Sequence, residues 1–323
     1  MKRVMVTGAA GFMGRALSAH LAADGVEVVG IDRLGDPAAN IIAGDISEPG
    51  DWQRAAAGCD ALIHTAALVA MPTDTSAFWA VNVRGTRLAV EAARDHGVKR
   101  LVHVSSVVTF GLDFPDGVDE RYPVHPTGVA YVDTKIASEQ VVLMAHAAGE
   151  LQATIVRPGD IYGPASRPWV LLPLQEMRAN RFALPAMGRG IHSPVYIDDV
   201  VEGIVRAASD PRAAGRVITL SGGKGVTTRD YFGRLAELAE LRKPLPLPTA
   251  VALSAAVAID RIARVRGRQN DLTPDAVHYL ADRRGTYGIA TAKALLDWSP
   301  QVDLDEGMAR TGVWLEEQGG LAG

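Results

Sequence analysis

The sequence predicts an α/β protein: a doubly wound parallel sheet followed by a smaller, mostly helical C-terminal region. Three observations carry that expectation. Short runs rich in Val, Ile and Leu, without polar alternation, recur through the first half and read as strands buried on both faces. Amphipathic helical patterns lie between those runs, as parallel crossovers require. A glycine-spaced turn, Thr7-Gly8-Ala9-Ala10-Gly11-Phe12-Met13-Gly14, joins the first run to the first helical pattern.

Taken in order, strands are expected at 4–7, 27–32, 61–65, 101–105 and 154–157, with helices at 14–23, 51–57, 75–96 and 131–148. After Gly163-Pro164 the rhythm changes. Proline, Trp169 and irregular spacing enter, followed by a leucine- and alanine-rich stretch at 232–265 and a final helix near 304–317. The chain is therefore divided into 1–164, the domain of the main sheet, and 165–323, a second domain. The runs at 195–198 and 217–220 look like strands, so segments near 195–206 and 216–221 are expected to return to the first domain.

The 323 residues are 48% hydrophobic and 22% charged, enough apolar material for a packed core, which excludes a disordered or fibrous chain. Lys and Arg number 33 against 37 Asp and Glu, a net charge of −4 with no long basic run, which argues against nucleic acid as a partner. The one cysteine, Cys59, has no second cysteine for a disulfide or thiolate site. The histidines lack metal-ligand spacing, so no metal is expected. The basic start Met1-Lys2-Arg3 runs at once into the glycine turn rather than a leader's apolar stretch. No apolar run approaches the roughly 18 residues that cross a bilayer. A cytoplasmic protein acting on a small molecule is the expectation.

The glycines Gly8, Gly11 and Gly14 are spaced G-x-x-G-x-x-G. Glycine permits the tight turn, lets backbone approach a pyrophosphate, and allows close helix–strand packing; the helix start, at Phe12 and Met13, then meets the phosphate charge. Asp32 ends the second expected strand 18 residues beyond Gly14, where an acid accepts hydrogen bonds from the adenosine ribose. Together they predict a Rossmann-like dinucleotide site in 1–164. NAD is favoured over NADP, because a carboxylate repels a 2′-phosphate of about −1.5 to −2 charge. Arg33 could hold that phosphate if Asp32 turned away.

Tyr131-Val132-Asp133-Thr134-Lys135 sets a phenol and an ammonium four residues apart, on one helix face. A tyrosine with its ordinary pKa of about 10 is a poor proton carrier near neutrality. A fixed cation brings it down, and a shift of three units takes roughly 4 kcal/mol.

In this order these residues resemble the extended short-chain dehydrogenase/reductase family, with its NAD-dependent epimerases, dehydratases and 3β-hydroxysteroid dehydrogenases. The resemblance spans nearly the whole chain. It includes Gly44-Asp45-Ile46, His64-Thr65-Ala66-Ala67, Asn82-Val83-Arg84-Gly85-Thr86 and Ser105-Ser106-Val107-Val108-Thr109-Phe110-Gly111. It continues through Arg157-Pro158-Gly159-Asp160-Ile161-Tyr162-Gly163-Pro164 and Val195-Tyr196-Ile197-Asp198-Asp199-Val200.

The resemblance implies an enzyme with Ser106, Tyr131 and Lys135 as the catalytic group. Tyr131 would be the acid/base, Lys135 would lower its pKa and bind the nicotinamide ribose, and Ser106 would hydrogen-bond the substrate. Asp45 and Ile46 would flank the adenine, Ala66 and Ala67 the central part of the cofactor. Ser105, Pro158 and Gly159 would complete its site. Asn82 reads as a backbone-bridging residue and His103 as a packed one. The resemblance also implies a homodimer through the helices around 81–94 and 131–145.

Two departures inform the substrate pocket, for which Val107, Phe110, Asp160, Trp169 and His192 are the candidates. Nucleotide-sugar enzymes of the family usually carry Asn where this chain has Asp160, and Arg where it has His192. A carboxylate 4 Å from a phosphate charge costs on the order of 4 kcal/mol at an effective dielectric of about 20. Both changes argue against a diphosphate-bearing substrate. Residues 250–264, with Val251, Leu253, Val257, Ile259 and Ile262 among alanines, read as a core helix, as a lid over an apolar pocket, or as a helix on a membrane surface. The expected activity is hydride transfer between NAD and a secondary alcohol or ketone on an apolar, alicyclic or steroid-like molecule. A nucleotide-sugar epimerase or dehydratase with retained NAD is the alternative, kept open by Arg178, Arg181 and Arg189. A sensor without turnover is disfavoured, since it needs only the glycine loop.

Overall fold

The computed structural model describes residues 1–69, 75–266 and 273–318. Its centre is a seven-stranded sheet built from β1 (Arg3–Thr7), β2 (Glu27–Asp32), β3 (Ile41–Ala43), β4 (Ala61–His64), β5 (Arg100–Val104) and β6 (Gln152–Pro158), closed by a late strand, Val217–Leu220. Every pairing in it is parallel, in the spatial order of that late strand, then β6, β5, β4, β1, β2, β3. The order reverses between β1 and β4, which opens a crevice at their C-terminal ends. Successive residues of β1 serve opposite faces: Val4 and Val6 enter one core cluster and Met5 the other.

Helix α1 (Phe12–Ala23) follows β1. The next helical stretch is continuous but not uniform: α2 (Thr75–Phe78) runs through a π-helical turn at Trp79–Arg84 into α3 (Gly85–Asp95). The segment expected as a helix at 51–57 is a 3-10 helix, Asp51–Ala56. Helix α4 (Ala130–Ala147) precedes β6.

Beyond β6 the chain makes short pairs: β7 (Asp160–Tyr162), β8 (Ala183–Leu184), β9 (Ile191–His192) and β10 (Pro194–Tyr196), then β11, the late strand Val217–Leu220, β12 (Val226–Thr227) and β13 (Leu245–Pro246). They pair as β7 with β10, β9 with β12, and β8 with β13. The helices are α5 (Leu172–Arg178), α6 (Ile197–Ser209), α7 (Thr228–Leu238), α8 (Thr249–Val265), α9 (Pro274–Ala281), α10 (Ala290–Leu296) and α11 (Leu304–Glu317).

The two late runs behave differently. Val217–Leu220 joins the main sheet beside β6, register Val217 to Ile155. The run at 195–198 does not. Its first residues pair with β7 alone, and from Ile197 the chain is already helical, with Asp198 and Asp199 in the first turn of α6. Carboxylates there complement the helix dipole, which favours turning the chain at that point.

One crossing between the halves joins the loop after β5 to the segment after α9. Val118 donates to Thr286 O at 3.1 Å and accepts from Gly288 N at 2.8 Å, while Asp116 caps the amide and hydroxyl of Thr286. The reading of 250–264 as a core helix holds only for one side of α8. Ala252 and Ala256 are buried, but Val251, Val257, Ile259 and Ile262 are exposed.

Candidate active site

The glycine turn lies at the C-terminal end of β1, beside the crevice. Gly8 has φ +73°, in the left-handed region, and a Cβ there would stand 2.8 Å from Ala66 N and Cα. A Cβ on Gly14 would collide with the carbonyl oxygen of Gly8, so close packing fixes that glycine. Helix α1 starts at Phe12 behind Gly11 with no side-chain cap, so its first-turn amides are left for an anion. Asp32 accepts from Ala10 N at 3.0 Å and Arg33 N at 2.8 Å, which fixes its carboxylate beside the loop. Asp45 is held by the amide and hydroxyl of Ser47, which lower its pKa, and Ile46 is buried against Gly85. An uncapped helix start over a turn whose Gly8 and Gly11 carry no Cβ, with a fixed acid at the next strand end, fits a dinucleotide.

Behind the crevice, two histidines stack with ring centroids 5.4 Å apart. His64 Nδ1 meets Thr7 Oγ1 at 2.7 Å and its Nε2 meets Thr86 Oγ1 at 3.1 Å; His103 Nε2 meets Ser138 Oγ at 2.9 Å. Burial holds His64 down to about 3 and His103 well below its ordinary value, so both are neutral packing groups. Asn82, in the π-helical turn, bridges Leu68 N and O and donates to Thr134 Oγ1 at 3.0 Å. That ties the turn to α4.

Tyr131 and Lys135 sit one turn apart on α4, facing the end of β5. Lys135 is buried and donates to Val104 O at 2.8 Å. Burial lowers its pKa to about 8, against an opposing pull from Glu139. Tyr131 is pushed up to about 12 by burial, against a hydrogen bond with Ser106. The expected lowering of the phenol by Lys135 is thus absent in the chain alone: the ammonium is held by a backbone carbonyl, and burial disfavours both charged forms. Ser106 caps the short helix Val107–Phe110, accepting from Val108 N. Ser105, expected at the cofactor, has its hydroxyl committed elsewhere: it donates to Glu139 Oε1 at 2.6 Å. Glu139 is also gripped by Arg157 through two bonds of 2.8 and 2.7 Å, and the guanidinium lies 4.7 Å over the Phe110 ring. Pro158 ends β6 and Gly159 follows it; Gly159 donates to Leu220 O, and a Cβ on it would stand 2.9 Å from Ser193 O.

Of the five pocket candidates, Val107, Phe110, Asp160 and His192 are buried, and Trp169 keeps partial exposure. Asp160 is not the lone charge that its sequence position suggested. Arg283 Nη2 meets one carboxylate oxygen at 2.7 Å, which also accepts from Ser193 N, and Tyr279 OH donates to the other at 2.6 Å. His192 Nδ1 lies 3.1 Å away, outside hydrogen-bond geometry, so both of its ring nitrogens lack a bonded partner. Burial pushes the Asp160 carboxyl up, but Arg283, His192 and Tyr279 outweigh it and hold it below the usual range. Burial keeps His192 neutral, with a pKa of about 4.

Rings enclose this pair. Arg283 stacks 4.0 Å from the centroid of Tyr279; Trp169 abuts both Tyr279 and His192; Phe110 stacks on Tyr287 at 5.8 Å. Arg283, Tyr279 and Glu139 were not among the candidates. The spacing of Tyr279, Arg283 and Tyr287 at intervals of four was a usable signal for the first two; Glu139 stands one turn beyond Lys135.

These histidines set an acid limit. His64 and His192 stay neutral in the fold to about pH 3 and 4, whereas an unfolded histidine protonates near 6.5. The unfolded chain therefore binds protons first as pH falls. Their contribution is intact above about 6.5 and is lost progressively towards 4. Urea midpoints should fall across that window; a flat midpoint would show that both rings protonate inside the fold.

Residues 4–220 match the family described as NAD dependent epimerase/dehydratase. The chain belongs to this family. Members of the NAD-dependent epimerase/dehydratase family act on CH–OH groups, and the glycine turn fits the NAD their name requires. A ketoreductase of 4-hydroxy-2-methyl-3-oxo-4-farnesyl-3,4-dihydroquinoline-1-oxide from Stigmatella aurantiaca is 32% identical over 73% of this chain and 72% of its own. A 2-alkyl-3-oxoalkanoate reductase from Stenotrophomonas maltophilia is 29% identical over 95% and 98%. Among solved structures, MoeE5 in complex with UDP-glucose and NAD superimposes with TM-score 0.78 at 25% identity, over 98% of this chain and 99% of that one. Nucleotide-sugar epimerases and dehydratases are thus also among the relatives of this family member.

Proposed function

We propose that this enzyme exchanges a hydride between NAD and a ketone or secondary alcohol on an apolar small molecule that carries no diphosphate. NAD, when bound, supplies the hydride chemistry. Tyr131 gives its hydroxyl proton to the reacting oxygen in reduction and takes it back in oxidation. Ser106 holds that oxygen, and Lys135, one turn from Tyr131 and held by Val104 O in the chain alone, would bind the nicotinamide ribose when NAD is present.

The observation that carries the substrate class is the Arg283–Asp160 pair. A guanidinium already engaged by a carboxylate and two tyrosines has no charge to offer a diphosphate, and the surroundings are aromatic. Arg181, a cation that favoured nucleotide sugars, is paired with Glu176. The reductase relatives, whose named substrates bear farnesyl or alkyl groups, support the same reading. The dimer through α3 and α4 belongs to this reading; α4 leaves Met144 exposed on its outer side.

A panel of apolar secondary alcohols and ketones, followed by NADH absorbance, tests it beside an assay for nucleotide-sugar interconversion. Net NADH change with apolar compounds and none with nucleotide sugars is the expected result. Interconversion of a nucleotide sugar without net NADH would sink the reading in favour of an epimerase.

A further inference from the structure

We propose that α8 is an interfacial helix that rests on an anionic lipid surface. At 17 residues it is about 25 Å long, and it carries its apolar side chains on the wrong side for a water-facing helix. Its inner side is narrow and small: Ala252 and Ala256 are buried, and Leu253 and Ala263 half-buried. The outer side exposes Val251 at 51%, Val257 at 38%, Ile259 at 39%, Ile262 at 52% and Val265 at 89%. Ala250, Ala255 and Ala258 are exposed between them. Ser254 turns its hydroxyl back to Ala250 O at 2.9 Å, so it adds little for water to solvate.

Charge selects the occupant. In a protein of net charge −4, the exposed charged side chains described on and just beyond this helix are Arg261 and Arg266, beside Ile262 and Val265. Asp260 is only half-exposed and engaged within the molecule. A second copy meeting this face about a two-fold axis would bring arginines against a helix whose described residues offer no fully exposed carboxylate. An anionic bilayer meets both halves of the pattern: headgroups take the arginines, and the acyl boundary takes Val, Ala and Ile. Leu245 and Met187, on segments beside the helix, are exposed as well. The helix lies on the bilayer and does not enter it, since no described helix is long and apolar enough to cross one. This proposal is independent of which substrate the active site takes.

The test is vesicle flotation of the full chain with phosphatidylglycerol–phosphatidylcholine mixtures and with phosphatidylcholine alone. The expected result is flotation with the anionic vesicles that weakens as salt rises, and at least about tenfold less with neutral ones. Val257→Asp/Ile262→Asp should lose flotation by about tenfold or more, and Arg261→Glu/Arg266→Glu by several-fold, while both variants keep wild-type NAD binding. Absence of flotation by the wild type, or unchanged flotation of both variants, overturns the proposal. So does a solution mass that falls from dimer to monomer in Val257→Asp/Ile262→Asp without vesicle binding, which would make the face a contact between copies.

Discussion

Tyr131→Phe is expected to lower turnover by about 10²–10⁴-fold, the span that a positioned acid/base contributes, with NAD still bound. The change removes one oxygen from a partly buried ring whose hydroxyl is bonded to Ser106, and leaves α4 and Lys135 in place. Proton transfer and cofactor binding therefore separate in this variant. NAD titration by tryptophan fluorescence and single-turnover NADH absorbance measure the two. Loss of NAD binding would show that the phenol is part of the cofactor's hold, and turnover near wild type would remove Tyr131 from the chemistry.

The second large effect is on stability. Arg283→Met leaves Asp160 buried without its guanidinium, and removing one partner of such a pair costs about 3–5 kcal/mol. Ser193 N and Tyr279 OH still reach the carboxylate, which places the cost towards the lower part of that range. Arg283→Met with Asp160→Asn removes both charges and should recover most of the loss. Urea unfolding of the wild type and both variants measures this. A cost below about 1 kcal/mol for the single variant would mean that the carboxyl accepts a proton in place of its partner.

The sheet, the glycine turn and the order of the expected active-site group were legible in the sequence, because each is local. A Val-Ile run, a glycine spacing or a Tyr–Lys interval of four states its own geometry. Asp160 was misjudged for the opposite reason. Its partner, Arg283, stands 123 positions along the chain, and nothing adjacent to Asp160 announces it. A longer separation, 170 positions, hid the tie between Asp116 and Thr286. At 195–198 the strand reading holds for Val195 and Tyr196, which pair with β7 and not with the main sheet, while Asp198-Asp199 supplies the acidic first turn of a helix that begins at Ile197. For α8, periodicity could not say which side faced inward, since alanines fit either side and only the packing decides.

The position of β11 bears on how this chain can be cut. A fragment stopping near residue 164 would carry the glycine turn, Ser106, Tyr131 and Lys135, yet it would lack the strand that covers β6. The backbone of Ile155, Val156, Arg157 and Pro158, which pairs with β11 in the whole chain, would then lie at an open sheet edge, a template for strand addition between molecules. Such a fragment would aggregate before it could serve as an isolated nucleotide-binding module. The sixty or so residues between β6 and β11 are therefore an insertion within the main sheet, which is finished only after they have been made.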